Sequence, residues 1–269
     1  MNPIAKSFTH EVPAVLWRFP KLIRWVHRLQ TFLYYRNRVI RKAILPLFHH
    51  AEHFWDAGCG DGHYSLLALK TGETHVTAND LSKDWINFLN LLKQKKLSTA
   101  AAEIENFKGQ QPYNLIACLS VLHYVERKKT ALQNLVCQLN TEGKLVIYVP
   151  VKEKTITPIY RWMFKTKNNY ENQKSFREII SASEWKHLFQ EQSLVIRKEI
   201  YCYGNFGRLG HEIWSIAHMC LSSNRLHQVL IGILICIPAA LISQLCYICE
   251  SWSKPNEGNG VLWILEKQA

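Results

Sequence analysis

The segment His53-Phe-Trp-Asp-Ala-Gly-Cys-Gly-Asp-Gly-His-Tyr-Ser65 constrains this chain more than any other. Phe54 and Trp55 read as the end of a buried strand, and Asp56 follows at its carboxyl end. Glycines then alternate at 58, 60 and 62, and the run from Tyr64 to Leu69 starts a helix. A strand, a glycine turn and a helix N-terminus let a ligand approach bare backbone N–H groups. The spacing narrows the ligand. A dinucleotide fingerprint needs its third glycine three residues after the second, and that position is His63. A turn of this kind belongs to a parallel sheet covered by helices, so strands and helices must alternate along the rest of the chain.

They do. Residues 74–81 (THVTANDL) read as a second strand ending in an acid. Asp80 lies 18 residues beyond Gly62, close to the roughly 20-residue distance at which a Rossmann-like second strand presents a carboxylate to ribose hydroxyls. A carboxylate accepts two hydroxyl hydrogen bonds at once, which suits the residue type. The structural alternative is a helix cap, for which Ser82 competes. Asn79 reads as a turn residue. A helix is expected over 83–96, with Trp85, Ile86, Leu89 and Leu92 on one stripe. The apolar run 113–119 (YNLIACL) reads as a central parallel strand. A helix over 129–139, a turn at 140–143 and a strand over 144–149 stopped by Pro150 follow. A helix opening at Ser183-Glu184, a strand over 194–203 and a closing strand over 261–265 complete an α/β sheet.

The succession D-A-G-C-G-D-G, N-D-L-S, Y-N-L-I-A-C-L-S-V-L-H-Y-V and L-N-T-E-G-K-L-V-I-Y-V-P covers residues 52–150. It resembles the class I S-adenosylmethionine-dependent methyltransferases of the ubiquinone/menaquinone-methyltransferase-like group, often called type 11. The resemblance implies a Rossmann-like, seven-stranded, mostly parallel sheet with an antiparallel last strand, and S-adenosyl-L-methionine as cofactor. It puts Asp56, Gly58, Gly60 and Gly62 around the methionine moiety, Asp80 at the ribose, Leu81 beside the adenine and Ser120 near the sulfonium. Two positions depart from the family. Ala101 stands where it usually carries an Asp for the adenine amino group, with Glu103 the nearest acid, and its Phe-Asp strand opening is Tyr113-Asn114 here. His123 follows the strand end where the family's acceptor sites lie, and it is the candidate base for an acceptor that must lose a proton. A structural hydrogen-bonding role at a helix start competes with that reading on equal terms. Tyr64, Tyr124, Tyr148, Tyr160 and Trp162 are candidate wall residues. No metal site is expected, since His49, His50 and His53 lack carboxylate partners.

Two appendages frame this core. Of the net charge of +12, the first fifty residues hold +8, from nine Lys and Arg against Glu11 alone. From Pro20, Leu22, Ile23, Val26, Leu29 and Leu33 share one helical face, and Lys21, Arg24 and Arg28 share another. Such a helix suits a membrane interface or a lid on the catalytic domain, and both readings stand. RNA ranks third, because no RNA-binding motif accompanies the charge. Residues 152–170 are basic and aromatic, which suits a substrate lid. Residues 204–260 form an insertion between the last two strands, and its stretch 226–249 runs for 24 residues without Asp, Glu, Lys or Arg. That length suffices to cross a bilayer. A single crossing would leave two strands of one sheet on opposite sides, so a hairpin, a re-entrant piece bent at Pro238 or an in-plane helix pair is expected. A soluble helical cap is the alternative. The domain reading is a basic arm over 1–50, the methyltransferase domain over 51–204 and 260–269, and an apolar, membrane-associating insertion over 205–259.

Eight cysteines without a C-x-x-C pair read as reduced thiols of a cytoplasmic protein. No signal peptide is expected, since Pro3, Pro13 and Pro20 interrupt the first residues. The expected function is methyl transfer to a lipophilic or aromatic small molecule by a protein held peripherally or monotopically at the cytoplasmic membrane face. The alternatives are a catalytically inactive binding protein of the same fold and an RNA methyltransferase.

Overall fold

A computed structural model describes residues 33–71, 74–166, 177–221 and 226–268. The amphipathic helix expected from Pro20 lies outside them, apart from its last residue. Seven strands form one sheet: β1 (His53–Ala57), β2 (His75–Asp80), β3 (Leu97–Ala101), β4 (Tyr113–Leu119), β5 (Leu139–Pro150), β6 (Leu194–Cys202) and β7 (Gly260–Lys267). Their order is β3-β2-β1-β4-β5-β7-β6. β1 to β5 are parallel, and β7 runs antiparallel to both β5 and β6. This is the Rossmann-like methyltransferase sheet the sequence implies.

The alternation along the strands explains the layers. Leu115, Ala117, Val146, Tyr148, Leu262 and Ile264 point to one face. There they meet α1 (Tyr35–Phe48) and α2 (His63–Thr71) through Ile40, Ile44, Phe48 and Ala68. Ile116, Cys118, Leu145, Ile147 and Trp263 point to the other face. They are covered by α4 (Lys128–Gln138) and α6 (Ala182–Glu191) through Ala131, Leu132, Leu135, Trp185 and Phe189. α3 (Lys83–Leu91) closes the β2 end with Ile86 and Leu89. α5 (Pro158–Thr166) follows β5.

Three elements differ from the sequence reading. α3 ends at Leu91 rather than near residue 96, because Lys93 takes a positive φ of 48° and turns the chain into β3. β3 itself carries no signal: its residues are half-buried or exposed at the sheet edge, so no apolar alternation marks it. The turn expected at 140–143 is absorbed into β5, where the register against β4 shifts between Tyr113 and Leu115. At this irregularity the Tyr113 carbonyl lies 2.9 Å from where a Cβ on Gly143 would sit.

The insertion is a helical hairpin of α7 (Asn205–Leu221) and α8 (Leu226–Ser253). α8 runs unbroken through Pro238, so of the three arrangements offered by the sequence the re-entrant piece is not the one adopted. The helices approach at glycines. A Cβ on Gly210 would lie 2.8 Å from that of Cys246, and one on Gly232 would lie 2.7 Å from the Leu221 nitrogen. Two buried carboxylates tie the hairpin down. Glu250 of α8 accepts from the N–H groups of Gly204 (2.5 Å) and Gly207 (2.9 Å) at the start of α7. Glu212 of α7 accepts from Ile156 N (2.7 Å), Thr157 N (2.6 Å) and Thr157 Oγ1 (2.7 Å) just ahead of α5.

Candidate active site

The five parallel strands and β6 all end at one edge of the sheet, which therefore collects Asp56, Asp80, Ser120, Pro150 and Tyr203. α1 contributes too. Its last residues lead into the start of β1, and 14 helical residues span about 21 Å, so its first turn returns to the carboxyl edge. There the Arg36 N–H donates to the Tyr203 hydroxyl at 3.4 Å.

The glycine loop crosses this edge between β1 and α2. Gly58, Gly60 and Gly62 all take positive φ (76°, 51° and 71°). Packing alone excludes a side chain at two of them, since a Cβ on Gly58 would run into Val121 and one on Gly62 into Leu89. Around Gly60 nothing lies within 4 Å of that position. Its N–H donates to Asp80 Oδ2 (2.9 Å), and Gly58 N and Cys59 N both donate to the Asn79 carbonyl (2.9 Å each). The loop is thus pinned to the end of β2, with its middle glycine facing open space.

Asp56 is buried, and its Oδ2 accepts from both the N–H (3.0 Å) and the hydroxyl (2.6 Å) of Ser65 in the first turn of α2. Burial nevertheless pushes its carboxyl up to about 7, and the nearby Asp61 and Asp80 add to the rise. Asp80 is half-exposed, bonded through Oδ1 to Ser82 N (2.8 Å) and through Oδ2 to the loop. The helix cap falls to Ser82, whose hydroxyl accepts from Trp85 N. A carboxylate offers about four lone-pair positions, the residue type that ribose hydroxyls call for. Leu81 beside it is 37% exposed, an apolar side chain at the same rim. Asn79 is a buried strand residue rather than a turn. Its amide accepts from Trp55 Nε1 (2.7 Å) and donates to the Ala102 carbonyl (2.9 Å), a cross-tie that sequence reading did not find. Glu103 is exposed and bonded to Asn106 Nδ2 (2.8 Å), and Asn114 accepts from His53 N (3.0 Å) between strands.

Ser120 holds a positive φ of 63° and donates its N–H to the Tyr148 carbonyl at 2.8 Å, so the chain leaves β4 sharply. His123 lies buried in the short 3₁₀ turn that follows, its ring 3.9 Å from that of Tyr124. Its carbonyl accepts from Glu178 N (2.9 Å), and Lys128 bridges the Glu178 carboxylate (2.5 Å) and the Val125 carbonyl (3.2 Å). Asp56, the three glycines, Asp80, Leu81, Ser120 and His123 therefore share one edge.

A second group gathers at this edge from α1, α2, β5, α5, the end of β6 and α7; sequence reading found its candidate wall residues Tyr64, Tyr148 and Tyr160 but not Arg36, Tyr203 or His211. The Arg36 charge acts on Tyr64, Tyr148, Tyr203 and His211, while burial pushes the three phenols up. His211 sits among Tyr203 (5.0 Å between ring centroids), Tyr34 (6.1 Å) and Tyr160 (6.2 Å). Burial, with Arg36 as the second cause, pulls its imidazole down to about 4. The Tyr64 hydroxyl and His211 Nδ1 are buried without a hydrogen-bond partner. Among the described residues, no group of three or more His, Cys, Asp or Glu is placed to hold a metal.

The sequence profile described as a methyltransferase domain matches residues 48–193, more than half of the chain. No curated protein matches in a sequence comparison. Solved structures share the fold. The cyclopropane synthase MmaA2 of Mycobacterium tuberculosis superposes with a TM-score of 0.58 at 11% identity, covering 84% of each chain. An O-methyltransferase from a trans-AT PKS multienzyme of Brevibacillus brevis, in complex with S-adenosyl-L-homocysteine, gives 0.54 at 15% identity over 93% of this chain and 76% of that one. A Haemonchus contortus phosphoethanolamine N-methyltransferase, bound to S-adenosylhomocysteine and phosphomonomethylethanolamine, gives 0.54 at 12% identity over 81% of this chain and 49% of its own. With the matched profile spanning the strand, the glycine loop and both carboxylates described above, the chain belongs to the methyltransferase domain family.

Proposed function

We propose that this protein transfers a methyl group from S-adenosylmethionine to a lipophilic or aromatic small molecule that it takes from a membrane surface. The open face of Gly60 carries the cofactor reading. Two of the three glycines are required by packing, whereas the middle one leaves the space a ligand needs to reach the backbone. When bound, the cofactor supplies an electrophilic methyl on a sulfonium. Asp56 and the loop would hold its methionine end, Asp80 its ribose hydroxyls and Leu81 its adenine. Ser120, on the bend after β4, would stand beside the sulfonium. For an acceptor that must lose a proton, His123 is the candidate base, three residues further on. Alignment and exclusion of water are the protein's main tasks in such a displacement.

The acceptor class rests on α8. Its buried positions are Gly232, Ala239, Ser243, Tyr247 and Glu250. Its outward positions are apolar, with Leu234 and Trp252 each 78% exposed and Ile237 69% exposed. Small and polar residues inside with Leu and Ile outside invert the pattern of a helix in water. The hairpin hangs from the same edge as the glycine loop, so an acceptor dissolved in lipid would reach the site without crossing water. The basic N-terminal residues suit an anionic cytoplasmic leaflet, and the eight unpaired cysteines suit a reducing compartment.

The test is incubation of the full-length protein with methyl-labelled cofactor and a membrane extract, followed by solvent partition and mass analysis. Label in an organic-phase product is expected. Cofactor binding without any labelled product would leave a binding protein of this fold, and label in RNA would overturn the acceptor class.

A further inference from the structure

The Tyr64 hydroxyl and His211 Nδ1 are both buried at the carboxyl edge of the sheet without a partner. Unsatisfied buried polar atoms cost free energy, and each one in a native fold calls for an explanation. Tyr64 is the second residue of α2, directly after the glycine loop, and His211 stands in the second turn of α7. Tyr148 and Tyr203 connect them: both belong to one buried cluster against which Tyr64 packs, and Tyr203 packs on His211 with 5.0 Å between ring centroids. The imidazole is held among three tyrosine rings, which fixes its plane. Burial keeps it neutral around pH 7. The insertion's two buried carboxylates are already engaged, since Glu212 and Glu250 each accept from two backbone N–H groups.

We propose that Tyr64, His211 and Arg36 form the docking site for the acceptor's oxygen, a weakly acidic hydroxyl of the phenol or enol class on an otherwise apolar or aromatic molecule. The proposal rests on the methyl-transfer reading only in giving that hydroxyl its purpose. A hydroxyl has one proton to donate and two lone pairs to accept with. It matches a neutral imidazole, protonated at Nε2, on one side and the Tyr64 O–H on the other. The positive charge of Arg36 attracts the partial negative charge that the hydroxyl oxygen carries. An ammonium group would meet like charge from Arg36. A methyl ether has no proton for the imidazole, so a methylated product would be held less tightly than its parent.

The experiment titrates the full-length protein with 4-nitrophenol and with its ether, 4-nitroanisole, following absorbance and heat. The phenol should bind about tenfold more tightly than the ether, the worth of one good hydrogen bond. His211→Phe keeps the ring contacts with Tyr203 and removes the nitrogens, and Tyr64→Phe removes only the hydroxyl. Each should cut phenol affinity about tenfold, and His211→Phe should leave ether affinity unchanged, since the ether makes no bond to the imidazole. Equal affinity for phenol and ether, no binding of either, or full phenol affinity in both folded variants would overturn the proposal. If a variant does not fold, the phenol-to-ether ratio of the unaltered protein decides. S-adenosylhomocysteine is titrated into the same sample. A phenol preference without cofactor binding would sink the methyl-transfer reading and leave the docking site standing.

Discussion

Gly60 differs from its two neighbours in what forbids a side chain there. An alanine at Gly60 meets only the strain of a positive φ, whereas one at Gly58 or Gly62 also drives into Val121 or Leu89. Gly60→Ala should therefore cost about 1 kcal/mol of stability and Gly58→Ala or Gly62→Ala about 3 kcal/mol. Gly60→Val should abolish binding of S-adenosylmethionine in a fold that still melts cooperatively. Calorimetry and thermal unfolding separate the two effects. Asp56 and His211 respond to acid with opposite signs. Folding raises the Asp56 carboxyl from 3.8 to about 7, so its contribution favours the fold in acid and is lost as pH rises through 7. A cationic ligand favours the carboxylate, so S-adenosylmethionine binding should release a proton near pH 6 and tighten toward pH 8. In Asp56→Asn this part of the pH dependence should vanish, read as heat in buffers of different ionisation enthalpy. Folding lowers His211 from 6.5 to about 4, so its contribution is complete above 6.5 and is lost as pH falls toward 4. The groups facing it, Arg36, Tyr34, Tyr160 and Tyr203, do not titrate in that window. His211→Phe should accordingly lose less stability than the parent between pH 7 and 5, measured by thermal unfolding at both values.

At the scale of elements, burial decided what could be read in advance. β4 and the second half of β5 announced themselves because both faces are covered there, and residues 115–119 and 145–149 are unbroken apolar runs. β3 did not, because an edge strand of Leu97, Ser98, Thr99, Ala100 and Ala101 buries too little to leave a pattern. α8 was legible as a long stretch without charge, but its packing on α7 through Gly207, Gly210 and Gly232 was not, since a glycine on a helix announces no partner. Its two faces make different predictions. Replacing Leu234, Ile237 and Leu241 together by Gln should change stability by only about 0.5 kcal/mol per site, because all three are exposed. The same triple change should weaken cosedimentation with anionic lipid vesicles, and unchanged sedimentation would refute a lipid contact at this face. Glu250→Ala, in contrast, leaves two buried N–H groups of α7 unpaired and should cost about 2–4 kcal/mol, read by chemical denaturation.

For the whole molecule, the proposed cofactor half of the site is compact in sequence, since Asp56, the glycines and Asp80 fall within 25 residues. Arg36, Tyr203 and His211 were not legible in advance, and Tyr64 was named without its partners, since only the sheet topology brings segments this far apart to one edge. That topology also fixes where the hairpin is attached. Cys202 pairs with Gly260 across β6 and β7, and Asn259 N donates to the Tyr203 carbonyl at 3.0 Å. Deleting residues 205–257 would join Gly204 to Gly258 as a two-residue loop, the length and composition that a tight β-hairpin favours. The shortened protein should keep its sheet by circular dichroism and lose vesicle binding. Persistent binding would assign the attachment elsewhere. A module that enters and leaves the sheet at one rung, and is held besides by Glu212 on residues 156 and 157 and by Tyr247 in the core, is interchangeable in principle where those ties are kept. Any helical cap whose ends meet at that spacing could be grafted there, so acceptor preference could be redesigned without moving an atom of the donor pocket.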